Sequence, residues 1–251
     1  EFPLPPLDEQ RRIAEILWAV EDAIETWNTV FADSRKLRDV ISFEFFKDDH
    51  HTTFEECANL CTELTVGIVV KPASYYVNEG GIPALRSLNV FPNRYTLEDL
   101  VYLSVEGHEA NQKSCLKRDD VIIVRTGRPG DTAVVNEQVA GFNCIDLVIA
   151  RVNGRIRPHY LMHFLNSAAG RRSLFKRTAG TAQQHLNVSA LAKVKIPLKS
   201  LTEQDHIVEQ FTEVDNRILQ VSDHIARLQV VKRALLTDLL SVQPVKEASH
   251  V

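Results

Sequence analysis

The chain has 251 residues, a formal net charge of −4, 44% hydrophobic and 25% charged residues, an ordinary balance for a soluble globular protein. No apolar run approaches the ~20 residues of a membrane helix and no basic-then-apolar leader opens the chain, so no membrane partner is expected. Cys57, Cys61, Cys115 and Cys144 are too sparse for a disulfide scaffold, which makes a reduced, cytoplasmic setting the expectation. The chain opens Glu1-Phe2 without an initiator methionine, as a fragment of something longer would.

After those two residues comes PLPPLDEQRRI (3–13), and nearly the same words return as PLKSLTEQDHI (197–207). A shift of 194 positions (197 − 3) aligns residues 2–46 with 196–240 without a gap. In the first copy apolar residues fall at Ile13, Leu17, Val20, Ile24, Trp27 and Phe31, and resume at Leu37, Ile41 and Phe45. In the second they fall at Ile207, Phe211, Val214, Ile218, Val221, Ile225 and Leu228. Steps alternating 4,3,4,3 make a narrow a/d seam, so each copy reads as one long helix. Asp8 is expected to cap the first, and Thr202 with Asp205 to form a capping box at the second. The upstream prolines fix where each helix begins. A stripe this narrow over roughly 60 Å needs a partner, and the other copy offers one. One helix leads out to the middle segment and the other leads back, so antiparallel pairing in a coiled coil is expected.

The middle segment changes register. Short β-rich runs lie at 66–70, 101–105, 121–125, 132–135 and 145–150, separated by Gly, Pro, Asn and Asp clusters. RTGRPGD (125–131) joins two of them and reads as a hairpin or bulged turn. A phosphate-cradling loop would need a helix after its glycines, and TAVV is strand-like. Helices are expected at 158–167 and 171–177, followed by the polar loop TAGTAQQHLN (178–187). The predicted class is therefore α+β: one mixed globular domain plus two long helices. The expected division is 1–48, first helix; 49–196, globular domain; 197–243, second helix; 244–251, tail.

Charge is uneven along the chain. Residues 50–195 carry 17 Lys/Arg against 13 Asp/Glu, and from Leu147 to Thr202 there is no acid at all. That stretch holds Arg151, Arg155, Arg157, Arg171, Arg172, Lys176, Arg177, Lys193, Lys195 and Lys199. Such a bias suits a polyanion, or else a surface whose acidic partners come from elsewhere in the fold. Gln183, Gln184 and Asn187 can contact adenine edges, and Arg177 a phosphate or guanine. Chemistry of its own is poorly supported. The only Pro-Pro, Pro5-Pro6, precedes a helix and grips no flipped base. The basic half has no carboxylate cluster for a metal, and the four cysteines do not complete a zinc pattern.

These pieces together resemble the specificity subunit of a type I restriction–modification enzyme. The carriers are [FI]-P-L-x-x-L-x-E-Q-x-x-I before a long helix, present twice, and G-T-A-Q-Q-H-L-N…L…V-x-I-P-L ahead of the second copy. GIPALRSLNV (81–90) and the L-K-x-x-D-[VI]-[IL]-x-x-R-T-G-x-x-G pattern at 116–130 add to them. The resemblance implies a target-recognition domain between two conserved helices that pair antiparallel. It implies double-stranded DNA as ligand, two methyltransferase subunits clasping the helices, and a restriction/translocase subunit that can join. Having one recognition domain, the chain looks like the C-terminal portion of a full subunit, or a half-sized subunit that dimerises; the helix at its very start favours the first. It implies no catalysis and no cofactor in this chain, with S-adenosylmethionine, ATP and Mg needed only by the partners. The expected function is reading one half of a bipartite DNA site while scaffolding the other subunits. The alternative is an assembly scaffold whose globular domain binds protein.

By residue type and loop position, the expected DNA contacts are Arg86, Arg125, Thr126, Arg128, Arg171, Lys176, Arg177, Gln183, Gln184, His185 and Asn187. Arg171→Ala should then weaken all sequences alike, and Ile218→Asp should unzip the helix pair by placing a charge in the seam. Gln183→Ala or Gln184→Ala is expected to relax base preference, which methylation-site mapping reads directly.

Overall fold

The computed structural model describes residues 6–48, 52–176 and 185–240, with backbone alone at 238–240. α1 (Leu7–Phe46) opens the chain. Then come β1 (Phe54–Glu56), β2 (Cys61–Val66), β3 (Tyr76–Val77), β4 (Ile82–Leu85), β5 (Val90–Phe91), β6 (Arg94–Tyr95) and β7 (Val101–Leu103). After α2 (Val105–Ala110) follow β8 (Val121–Val124), β9 (Thr132–Val134), β10 (Asn143–Cys144) and β11 (Leu147–Val152). α3 (Pro158–Asn166), α4 (Ala168–Phe175) and α5 (Val188–Ala192) precede β12 (Lys195–Pro197) and α6 (Leu201–Leu240). The α+β class read from the sequence is the one observed.

The chain divides into two compact units, Glu1–Arg38 with Thr212–Val251, and Asp39–Phe211. In the first unit three contacts set the direction of the two helices. Lys232 meets Glu21, the Trp27 ring lies 4.4 Å from that of His224, and Arg38 Nε donates to Asp215 Oδ1 at 2.6 Å. As the α1 number rises the α6 number falls, so the helices run antiparallel. Ile13, Ile24 and Val221 are buried. Leu17, Val20, Trp27, Phe31, Val214, Ile218, Ile225 and Leu228 are half-buried. Leu37, expected to resume the stripe, is 50% exposed. Continuing the 3,4 alternation from Phe31 lands on Ser34 and Arg38, and these two polar residues take the inward positions.

The second unit is built on the antiparallel sheet β2-β11-β8-β9. Side chains alternate faces along a strand, and here both faces are covered. Val121, Ile123, Val148 and Ala150 join Tyr160, Leu161, Phe164 and Leu165 of α3 in one core. Ile122, Val124, Leu147 and Ile149 join Leu85, Val90, Leu116 and Val139 in another. That is why VIIV and LVIA are unbroken apolar runs. A second, mixed sheet, β10-β4-β7-β3, pairs β10 parallel to β4 and the rest antiparallel.

Several expectations shift. The run expected at 66–70 is a strand at Cys61–Val66 instead. Beyond it the chain passes β10 so closely that a Cβ on Gly67 would sit 2.4 Å from the Cys144 carbonyl oxygen. Ile207 and Phe211, expected in the helix seam, lie in the second unit's first core, where Phe211 stacks on Phe46 at 5.9 Å and on His163 at 4.4 Å. The α6 cap is not Thr202 with Asp205. Ser200 Oγ accepts from the Glu203 N–H, and Glu203 Oε2 accepts from the Ser200 N–H, a capping box two residues earlier. The Ser200 bonds hold the Glu203 carboxyl below its ordinary pKa. Asp205 is taken by Arg157, at 2.7 and 2.9 Å. α1 already includes Asp8 within its first turn.

Phe46 is 3% exposed and edge-on to Tyr160 and Phe164. Phe46→Ala is therefore expected to remove about 3–5 kcal/mol of stability in a urea titration. Trp18→Ala, at 68% exposure, should change it by less than about 0.5 kcal/mol.

Candidate nucleic-acid interface

The register of the central sheet builds the site. Leu147 of β11 pairs with Val124 of β8, so the residue before one and the residue after the other meet at the sheet's end. These are Asp146 and Arg125. Arg125 Nη1 donates to Asp146 Oδ1 at 3.0 Å, and Thr126 Oγ1 donates to Asp146 Oδ2. Asp146 sits at φ +54, a left-handed conformation that Asp and Asn tolerate better than most residues. The turn that follows, TGRPG, reaches β9 through Gly127 at φ +81 and Gly130 at φ +90. It is the hairpin turn expected, with β8 and β9 antiparallel.

A cleft of about 520 Å³ opens here, lined by Arg86, Leu88, Thr126, Arg128, Ile145 and Asp146 among others. Arg128 is fixed on three sides. Its guanidinium lies 4.1 Å over the Phe91 ring, Nη2 donates to the Val90 carbonyl at 2.8 Å, and Nε is 3.3 Å from Asp131. Arg86 Nη2 donates to the Asp99 carbonyl at 2.6 Å, while its Nε is buried without a hydrogen-bond partner. Arg125 also donates from Nε to the Leu186 carbonyl, and its own carbonyl accepts from the Leu186 N–H, both at 3.1 Å. That pair anchors the chain beside the exposed His185.

Three of the expected contacts, Arg86, Thr126 and Arg128, thus line one cleft; a fourth, Arg125, bonds to Asp146 in its wall, with His185 tethered beside it. Lys176 is exposed at the end of α4. Arg177, Gln183 and Gln184 lie outside the described residues. Two further expected contacts are engaged within the chain. Arg171 is turned inward, donating from Nη1 to the Pro129 carbonyl at 2.9 Å and from Nη2 to Asp131 Oδ1 at 2.5 Å. Asn187 caps α5, its Oδ1 accepting from the Ala190 N–H at 2.7 Å and from the Ser189 hydroxyl at 2.7 Å.

Residue-type reasoning missed Asp146, and also Phe91, whose ring carries Arg94 at 4.7 Å as well as Arg128. A signal for Asp146 was present: it is the last carboxylate before the acid-free stretch. The stretch itself is less basic in space than in sequence. Arg151 pairs with Glu63 and Asp120, Arg155 with Glu55, Arg157 with Asp205 and Arg171 with Asp131. Burial pushes the Asp120 carboxyl above its ordinary pKa even beside Arg151. Among the described residues, Arg172, Lys176, Lys193 and Lys195 remain exposed without an ion pair. No three described His, Cys, Asp or Glu side chains gather as metal ligands do, and no described helix is long and apolar enough to cross a membrane.

A sheet domain with an arginine-lined cleft lies in sequence between two long helices. The chain belongs to the type I restriction modification DNA specificity domain family, whose model matches residues 75–228. It is 23% identical to the type I restriction enzyme MjaVIII specificity subunit of Methanocaldococcus jannaschii over 96% of this chain and 61% of that protein. It is 25% identical to the EcoBI specificity subunit of Escherichia coli over 94% of this chain and 56% of that one. The chain thus spans about three fifths of the length of these curated relatives. Among solved structures it resembles a chain from a study of complex assembly and conformational transition in the type I R-M system. The TM-score is 0.68 at 21% identity, covering 95% of this chain and 60% of the other. It also resembles the HsdS subunit from Thermoanaerobacter tengcongensis, with a TM-score of 0.60 at 21% identity and the same coverages. At these identities the structural likeness concerns the fold.

Arg171→Met is expected to leave DNA affinity within about twofold while costing about 1–3 kcal/mol of stability, because Asp131 loses the closer of its two arginine partners. Urea unfolding beside a binding titration separates the two effects.

Proposed function

We propose that this chain reads one half of a bipartite double-stranded DNA site as a recognition domain of a type I specificity subunit. The observation that carries the reading is the convergence of Arg86, Thr126 and Arg128 on one cleft, with Arg125 bonded to Asp146 in its wall, within the stretch that the DNA specificity family matches. Fixed arginine donors beside exposed cations suit a ligand with both a charged backbone and hydrogen-bonding edges. Base contacts would come from the cleft and from exposed His185, and backbone contacts from exposed Lys176 and Arg172.

In this reading the chain breaks no bond. Its two helices hold two methyltransferase subunits, to which a restriction/translocase subunit can add. S-adenosylmethionine, ATP and Mg act in those partners, and the complex works in the cytoplasm.

Binding to cognate duplex is expected to fall linearly in log–log plots against salt. If roughly six phosphates are neutralised, about 10³-fold is lost between 50 and 200 mM. Competition against random duplex at one salt concentration measures the specificity ratio. Equal affinity for every sequence at all salt concentrations would leave protein scaffolding as the better description.

A further inference from the structure

Resting on that DNA-reading function, we infer that Asp146 determines sequence preference: its carboxylate accepts the exocyclic amino group of one base, cytosine N4 or adenine N6. Among the described residues lining the cleft, Asp146 is the only acid. An ionised carboxylate has about four lone-pair sites. Arg125 and Thr126 take one on each oxygen, which leaves two for a ligand, and the side chain is 28% exposed.

A fixed negative charge repels a phosphate, so a cleft built to clamp the backbone would not keep one on its wall. A base edge is the better match. In the major groove adenine offers an amino donor next to the N7 acceptor, and a C·G pair offers N4–H next to O6. Asp146 supplies the acceptor. The donor for the neighbouring position is Arg128, held on Phe91. Leu88 and Ile145 give the base or its methyl neighbour apolar walls. The acceptor is also held in place. The Asp146 N–H donates to the Ile68 carbonyl at 3.1 Å, and its carbonyl accepts from Ser87 Oγ at 3.3 Å. Little reordering is needed on binding, and a misplaced carboxylate next to a base that offers only acceptors would be penalised.

The test selects binders from duplexes with a randomised core, using the full-length chain in its complex. Asp146→Asn keeps the shape and tolerates the left-handed backbone. It is expected to lose about 10- to 100-fold discrimination at one base pair, with other positions unchanged and a modest fall in melting temperature from the lost Arg125 ion pair. A variant that enriches the wild-type motif unaltered overturns the inference while leaving the DNA-reading function standing. So does a variant that gains affinity for all duplexes alike, because the cleft would then face the backbone. If the wild-type chain enriches no motif, the underlying function fails and the inference with it. Should Asp146→Asn not fold, wild-type protein is tested on duplexes carrying purine for adenine, or 2-pyrimidinone for cytosine, one position at a time. A loss of about tenfold or more at one site supports the inference, and uniform binding overturns it.

Discussion

The pairing of β11 with β8 is the constraint on which the rest of the globular unit depends. Leu147 opposite Val124 decides which side chains of both strands enter which core. A slip by one residue would turn Val121, Ile123, Val148 and Ala150 onto the wrong face. The same register brings Arg125 and Asp146 together at the sheet's end. Folding and site assembly are therefore one event: the apolar alternation that stabilises the sheet also aims the polar residues just beyond it.

Much of the architecture was legible in the sequence because periodicity survives tertiary context. The two long helices follow from steps of 3 and 4, and the β8–β9 hairpin from a Gly-Pro-rich turn between two apolar runs. What misled the reading was local. Leu37 is apolar, but the alternation from Phe31 passes through Ser34 and Arg38, so register overrode hydrophobicity. Thr202 and Asp205 resemble a capping box, but Ser200 stands one residue before the helix's first turn and Glu203 reaches back to it. The strand expected at 66–70 ends at Val66, where the chain leaves β11 and Ile68 bridges Ile145 instead, with Gly67 passing close against Cys144.

The candidate site was half legible. Arg86, Arg125, Thr126 and Arg128 were picked out by type and loop position, since cations beside glycine turns are seldom core residues, and the structure brings them close together. Arg171 is turned inward instead, because a sequence shows a cation but not the carboxylate facing it. Four arginines of the acid-free stretch are matched by Glu55, Glu63, Asp120, Asp131 and Asp205, all from outside it. Linear charge bias thus overstates the cationic field. Among the described residues of that stretch, the surface excess lies in Arg172, Lys176, Lys193 and Lys195. Asp146 escaped notice for the converse reason: a lone acid in a basic domain reads as background until its two donors are seen.

The Arg38–Asp215 pair carries a consequence for the long helices. Repeated heptads of Ile, Val and Leu are nearly indifferent to sliding by seven residues, since each apolar knob finds an equivalent hole. Such a slide moves a residue by about 10.5 Å along the axis, and it would leave Arg38 stranded against an aliphatic row with Asp215 far away. Side chains only 17% and 23% exposed do not tolerate that loss cheaply. The pair acts as a detent on an otherwise smooth rail. The length set by the two rods becomes a fixed measure, not one of several permitted steps.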